Sequence, residues 1–235
     1  MQLKILSGGA AQSVATALAD EFRAATGYEL ACTFSAVGAM KAKLLAGEPA
    51  DLVILTRTVI AELAAGGQVL ADSCADLGRV RTGVAVRAGD ALPDIANAAA
   101  LRAALLAADG IYFPDPQKAT AGIHFAGVLD QLGIRAEVEA RLKPYPNGNT
   151  AMRELAQAPG ARAIGCTQVT EIKSTPGVIL AGLLPREFEL ATMYTAAVCS
   201  AAASPEAARR FVALLSGDST RALRAKAGFE LGTEH

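Results

Sequence analysis

The sequence predicts an α/β fold built on a parallel sheet, and three stretches carry that prediction. Leu3, Ile5 and Leu6 form a short apolar run stopped by Ser7-Gly8-Gly9, after which Ala11, Val14, Leu18 and Phe22 recur on one helical face. The same order returns downstream. Tyr28 to Phe34 reads as a strand, Ser35-Ala36-Val37-Gly38 as a small-residue turn, and Met40, Leu44 and Leu45 as the buried side of a helix. Leu52 to Leu55 is then a continuous apolar run of the kind covered on both faces in a parallel sheet, with a helix from Thr56-Arg57-Thr58 to about Ala65 behind it. Strand, turn and helix repeated in this order imply parallel strands joined by helical crossovers.

The remaining elements follow in order. Gly27 ends the first helix as a C-cap. Val80 to Val86 is a long β-rich stretch, followed by a helix from about Ala98 to Ala107 and a strand at Ile111 to Phe113 that Pro114-Asp115-Pro116 ends. Phe125, Val128, Leu129 and Leu132 mark the next helix, Val138 to Leu142 reads as a weak strand, and Pro144 to Gly148 as a turn. Asn149 or Thr150 is expected to cap a helix that buries Met152 and Leu155. Ala163 to Cys166 is a short strand ending in Thr167-Gln168, and Val178 to Leu180 and Glu189 to Val198 are further strands. Ser204-Pro205-Glu206 opens a helix with proline at its first position, packed by Phe211, Leu214 and Leu215, and a last helix spans about Ser219 to Ala227. The two long strands, near 80–87 and 189–198, act as hinges. They predict one lobe from 1–81 and 194–235 and a second from 82–193.

Composition narrows the function. Among 235 residues, 22 Lys and Arg oppose 23 Asp and Glu, so no basic field is present to hold nucleic acid. The apolar runs are shorter than the roughly 20 residues that cross a bilayer. Met1 runs straight into the first strand, which predicts a cytoplasmic protein if Met1 is the native start and a periplasmic one if a leader was removed. Cys32, Cys74, Cys166 and Cys199 lie far apart, with no histidines at zinc spacing, and are expected to be reduced and mostly buried; no metal or cofactor is expected. His235 is given no role.

Two glycines after a strand let backbone N–H groups converge at a helix start, making Ser7 to Ala11 a candidate anion seat. No lysine follows as in a phosphate-binding P-loop, and the spacing differs from the dinucleotide fingerprint. Three longer motifs add to this: Phe34 through Gly47-Glu48-Pro49-Ala50-Asp51-Leu52, Asp115-Pro116 with Ala121-Gly122-Ile123, and Ile164-Gly165 before a polar loop. In this order they resemble the type II periplasmic-binding-protein fold, and within it the molybdate-binding-like solute receptors. The resemblance implies two lobes that close on a small anion in a cleft lined by strand-to-helix loops. It implies ligand contacts from Ser7, Gly8, Gly9 and Ala10, from Ser35, Val37 and Gly38, from Thr120, Ala121, Gly122 and His124, and from Asn149, Thr167 and Gln168.

The departures from that family bear on the ligand. Ala10 and Val37-Gly38 stand where such receptors place serine hydroxyls, and Gln168 where they place a tyrosine. Each donor lost to a desolvated oxyanion costs about 1–3 kcal/mol, which argues against molybdate. Arg57 and Arg81 lie near the predicted loop ends, and an arginine fork matches a carboxylate. The expected function is therefore a solute-binding protein for a small carboxylate, with an ABC permease as partner if exported. Ser7-Gly8-Gly9 and the Gly83 to Ile95 stretch also resemble the branch of this scaffold that includes aconitate isomerase. That alternative implies an enzyme acting on an unsaturated di- or tricarboxylate, with His124 as proton carrier.

Overall fold

The computed structural model describes residues 1–232; the tail position His235 lies outside them. Contacts divide the chain into two compact units, Met1–Val80 with Thr192 onward, and Arg81–Ala191. In chain order the first unit begins with β1 (Gln2–Gly8), α1 (Gln12–Ala17), α2 (Ala19–Thr26), β2 (Glu29–Ser35), α3 (Val37–Leu45), β3 (Leu52–Thr56) and α4 (Arg57–Ala65). The strand β4 (Ala75–Arg87) leads into the second unit. That unit holds α5 (Ala98–Ala107), β5 (Gly110–Pro114), α6 (Thr120–Gln131), α7 (Arg135–Val138), β6 (Leu142–Tyr145), α8 (Gly148–Ala156), β7 (Ala163–Gln168), α9 (Val169–Ser174) and β8 (Val178–Leu183). The strand β9 (Ala191–Val198) returns the chain to the first unit, which α10 (Pro205–Ser216) and α11 (Arg221–Ala227) complete.

In the first unit the strands run β2-β1-β3-β9, the first three parallel and β9 antiparallel to β3. All five residues of β3 are buried, as its unbroken apolar run requires. Asp51, just before it, is buried and accepts backbone N–H bonds from Lys4 at 2.8 Å and Ser204 at 2.9 Å, tying the start of β1 to the start of α10. The aspartate of the Gly-x-Pro-Ala-Asp motif therefore holds the fold. Asp51→Ala is expected to cost about 3 kcal/mol of unfolding free energy, read by urea denaturation, because both donors lose their acceptor.

In the second unit β4 lies between β8 and β7, and β7 leads through β5 to β6. One core cluster holds Val84, Ile164 and Cys166 with Phe113 and Phe125, and another holds Ala85 and Ala163 with Met152 and Leu155. Alternate residues of β4 and β7 thus point to opposite faces, one covered by α6 and the other by α8.

Several local expectations change. The first helix is not continuous: a 3-10 turn at Gly9–Ala11 precedes α1, and Leu18 interrupts the backbone between α1 and α2 with φ −93° and ψ −3°. Its apolar face survives, with Val14, Leu18 and Phe22 buried and Phe22 meeting Phe211 edge-on at 4.9 Å. The expected strand at 138–142 is instead the end of α7 and a 3-10 turn, and the expected turn at 144–148 begins as β6. Pairing of Leu142 with Ile111 draws the segment onto β5, and Pro144 is tolerated because β6 lies at the sheet edge. The cap of α8 is Asn147, whose Oδ1 accepts from Thr150 N–H at 2.9 Å, in place of Asn149 or Thr150. All four cysteines are free; Cys166 and Cys199 are buried, while Cys74 is exposed. Burial pushes the Cys199 thiol up to about 12 and the Cys32 thiol up to about 11, which disfavours the thiolate in both.

Candidate functional site

Each unit gathers its strand-to-helix turns at one sheet edge. In the first, Gly8 pairs with Ser35 and Ser7 with Ile54, so the ends of β1, β2 and β3 lie side by side. The residues before the next helical segments, Gly8, Ala36 and Thr56, are extended, and none caps its helix through a side chain. The positive helix ends at this edge are accordingly not capped by the side chains of these three residues. A Cβ on Gly8 would stand 3.1 Å from Val37 and 3.2 Å from Tyr194, so the small residue keeps the turn flush with its neighbours.

Several side chains of the expected site have partners within the protein. Ser7 is fully buried and its hydroxyl donates to the Gly8 carbonyl at 2.9 Å, which commits its only proton. Ala10 is buried and carries no side-chain donor; Val37 is buried and apolar, and Gly38 is half-buried in the first turn of α3. The Ser35 hydroxyl is half-buried at the end of β2. Arg57 pairs through Nε and Nη2 with Asp76, and the Thr195 hydroxyl donates to the same carboxylate at 2.6 Å. The arginine fork expected for a ligand is thus held by an acidic neighbour, with Nη1 outside that pair.

In the second unit the ends of β5, β6 and β7 lead to α6, α8 and α9. Asp115 Oδ1 accepts from the N–H groups of Gln117 and Lys118 at 2.7 and 3.1 Å, building the turn into α6. Gly122 packs its Cα against the carbonyls of Pro114 and Asp115. The Asp-Pro and Ala-Gly motif thereby seats the start of α6, with Thr120 half-buried and Ala121 buried in its first turn. His124 Nε2 lies 2.8 Å from the Phe188 carbonyl; the carbonyl only accepts, so Nε2 carries the proton there. Arg81, expected near a ligand, pairs with Glu189 at 3.2 Å.

Thr167 and Gln168 end β7 on opposite faces. The Thr167 hydroxyl donates at 2.5 Å to Glu171, a carboxylate absent from the sequence expectation, and Asn149 Oδ1 accepts from Ser174 at 3.4 Å. Glu171 also accepts from the backbone N–H groups of Gln168, Asn149 and Gly148, so an internal carboxylate occupies the helix start of α8. Burial pushes its pKa up to about 7, against these four donors. Gly148 admits the carboxylate because a Cβ there would overlap Glu171 and Thr167. Sequence reasoning missed Glu171 because an acidic residue in a first helical turn reads as ordinary dipole compensation; the one local signal is Thr-x-x-x-Glu across a strand-to-helix corner.

Gln168 is the reverse case. It is 3 % exposed, and both its amide oxygen and amide nitrogen are buried with no hydrogen-bond partner. Buried polar groups are nearly always paired, so an open amide at this edge is a ready donor and acceptor for a ligand. Among the described residues no group of three His, Cys, Asp or Glu side chains is placed to hold a metal ion, and no helix is long and apolar enough to cross a membrane.

The family described as bacterial extracellular solute-binding protein matches residues 3–230. A protein named aconitate isomerase, from a Pseudomonas species, is 32% identical over 231 residues, covering 94% of this chain and 85% of that protein. The periplasmic molybdate-binding protein of Azotobacter vinelandii has the same fold, with a TM-score of 0.82 at 20% identity over 98% of this chain and 100% of that one. A sulfate-binding protein of Mycobacterium tuberculosis aligns with a TM-score of 0.74 at 20% identity, over 97% and 86% of the two chains.

Proposed function

The chain belongs to the bacterial extracellular solute-binding protein family, and from that premise we propose that it binds a small organic carboxylate of the unsaturated di- or tricarboxylate class. The observation that carries this reading is the buried, unpaired amide of Gln168 at the edge from which α6 starts. An amide donor accommodates a carboxylate oxygen. Three positions at which the resemblance to molybdate receptors implies a hydroxyl contact do not offer one: Ala10 has none, Ser7 donates to Gly8, and Thr167 donates to Glu171. The 32% identical relative named aconitate isomerase supports the same class. An ABC permease is the partner this reading implies if the chain is exported.

Thermal-shift measurements with aconitate, other di- and tricarboxylates, molybdate and sulfate test it. A ligand at 100 times its Kd adds about 2.7 kcal/mol of stability. A strong shift with carboxylates and none with molybdate is the expected result; the reverse pattern removes the carboxylate reading.

A second reading, isomerisation, is favoured by the 32% identical relative and by the placement of His124. The step moves one proton. A C–H bond at the methylene carbon of aconitate breaks, the double bond shifts by one carbon, and a new C–H bond forms at the former vinyl carbon, with no change in oxidation state. With Nε2 donating to Phe188, Nδ1 is the nitrogen of His124 left to accept the proton. Proton NMR of cis- and trans-aconitate is the assay, and His124→Ala is expected to slow interconversion at least 100-fold. A wild type inert toward every unsaturated acid would leave binding alone.

A further inference from the structure

Thr82 stands directly opposite Gln168 in the antiparallel β4–β7 pair. Facing residues project on the same side of a sheet with Cβ atoms about 5 Å apart. Val84 and Cys166, two positions along each strand, belong to one core cluster, so Thr82 and Gln168 continue that face where the apolar core ends. Thr82 is 1 % exposed and its hydroxyl oxygen is buried without a partner. Its backbone is held on both sides, the N–H donating to Leu190 at 3.0 Å and the carbonyl accepting from Leu184 at 3.3 Å. Two neighbouring polar side chains that could bond each other do neither that nor anything else, and valine would fill position 82 without leaving a polar atom open.

We propose that Thr82 is a specificity-determining ligand contact, and that its hydroxyl and the Gln168 amide nitrogen donate to the two oxygens of one ligand carboxylate. This rests on the carboxylate reading above. The Gln168 oxygen remains as an acceptor, which favours ligands bearing a hydroxyl or a protonated carboxyl beside that carboxylate.

The test compares wild type, Thr82→Val, Thr82→Ser, Gln168→Leu and the Thr82→Val/Gln168→Leu double variant by titration calorimetry with cis-aconitate, trans-aconitate and molybdate. Thr82→Val is expected to weaken carboxylate binding about 10-fold, while raising the melting temperature of the ligand-free protein by about 2 °C because an unsatisfied buried hydroxyl is gone. Thr82→Ser keeps affinity within about threefold, and adding Thr82→Val to Gln168→Leu costs less than it does alone, since both act on one ligand group. Unchanged affinity in Thr82→Val, a lower ligand-free melting temperature, or fully additive losses would each overturn the proposal. Should wild type bind molybdate and no carboxylate, the carboxylate reading falls and the same cycle on molybdate decides whether Thr82 contacts the anion. Wild type that binds none of the three overturns both.

Discussion

Glu171→Ala is expected to lower the unfolding free energy by about 3 kcal/mol at pH 6, measured by urea denaturation. Removing the carboxyl group leaves the Thr167 hydroxyl and the N–H groups of Gly148, Asn149 and Gln168 facing an empty space inside the second unit. The same residue sets a pH dependence. Burial raises its folded pKa from 4.5 to about 7, so between those values the folded protein holds a proton that the unfolded chain has released. Stability from this group is therefore full below about pH 4.5, falls as the pH rises toward 7, and levels off above it. The change is on the order of 3 kcal/mol. Glu171→Gln, which does not titrate, is expected to flatten the melting temperature between pH 5 and pH 8. A mutant whose curve keeps the wild-type slope would assign the pH dependence to another group.

Gly122→Ala is expected to destabilise by about 3 kcal/mol or more, although alanine ordinarily improves a helix by about 1 kcal/mol over glycine. The added Cβ would overlap main-chain carbonyls of Pro114 and Asp115, and main chain held by a strand and a turn has nowhere to go. Gly127, five residues on in α6, would place a Cβ with nothing within 4 Å of it, so Gly127→Ala should stabilise by about 0.5–1 kcal/mol. The pair isolates packing from helix propensity in a single element. It also separates the roles of the Ala-Gly motif: if Gly122→Ala folds as well as wild type yet fails to bind, the glycine serves the ligand and the packing account is wrong.

Much of the architecture was legible in residue order. Leu52 to Leu55 announced a strand buried on both faces, Ser204-Pro205 marked a helix start, and the helix expected at 98–107 has those bounds. The misreadings arose where a partner outweighed local preference. Leu142 to Tyr145 is a strand because β5 offers its edge, and Asn147 caps α8 because its side chain reaches the Thr150 N–H. The sequence shows the turns that carry the candidate site residues, but not the internal partners of those residues. Ser7, Thr167, Arg57 and Arg81 were all rightly polar, yet the structure directs each to an internal partner: Gly8, Glu171, Asp76 and Glu189.

Alternation of apolar strands, small-residue turns and amphipathic helices determines on its own that this chain is an α/β protein with its turns gathered at strand ends, because those periods are local properties of the backbone. Which polar groups remain open is decided by tertiary structure alone. The groups that meet come from positions distant in sequence: Glu171 fills the start of α8, 23 residues earlier at Gly148, and Thr82 faces Gln168 across a strand pair 86 residues apart. The opening Ser7-Gly8-Gly9 turn is recognisable from three letters, whereas the buried, unpaired amide of Gln168 becomes visible only when every neighbour able to satisfy it has been placed.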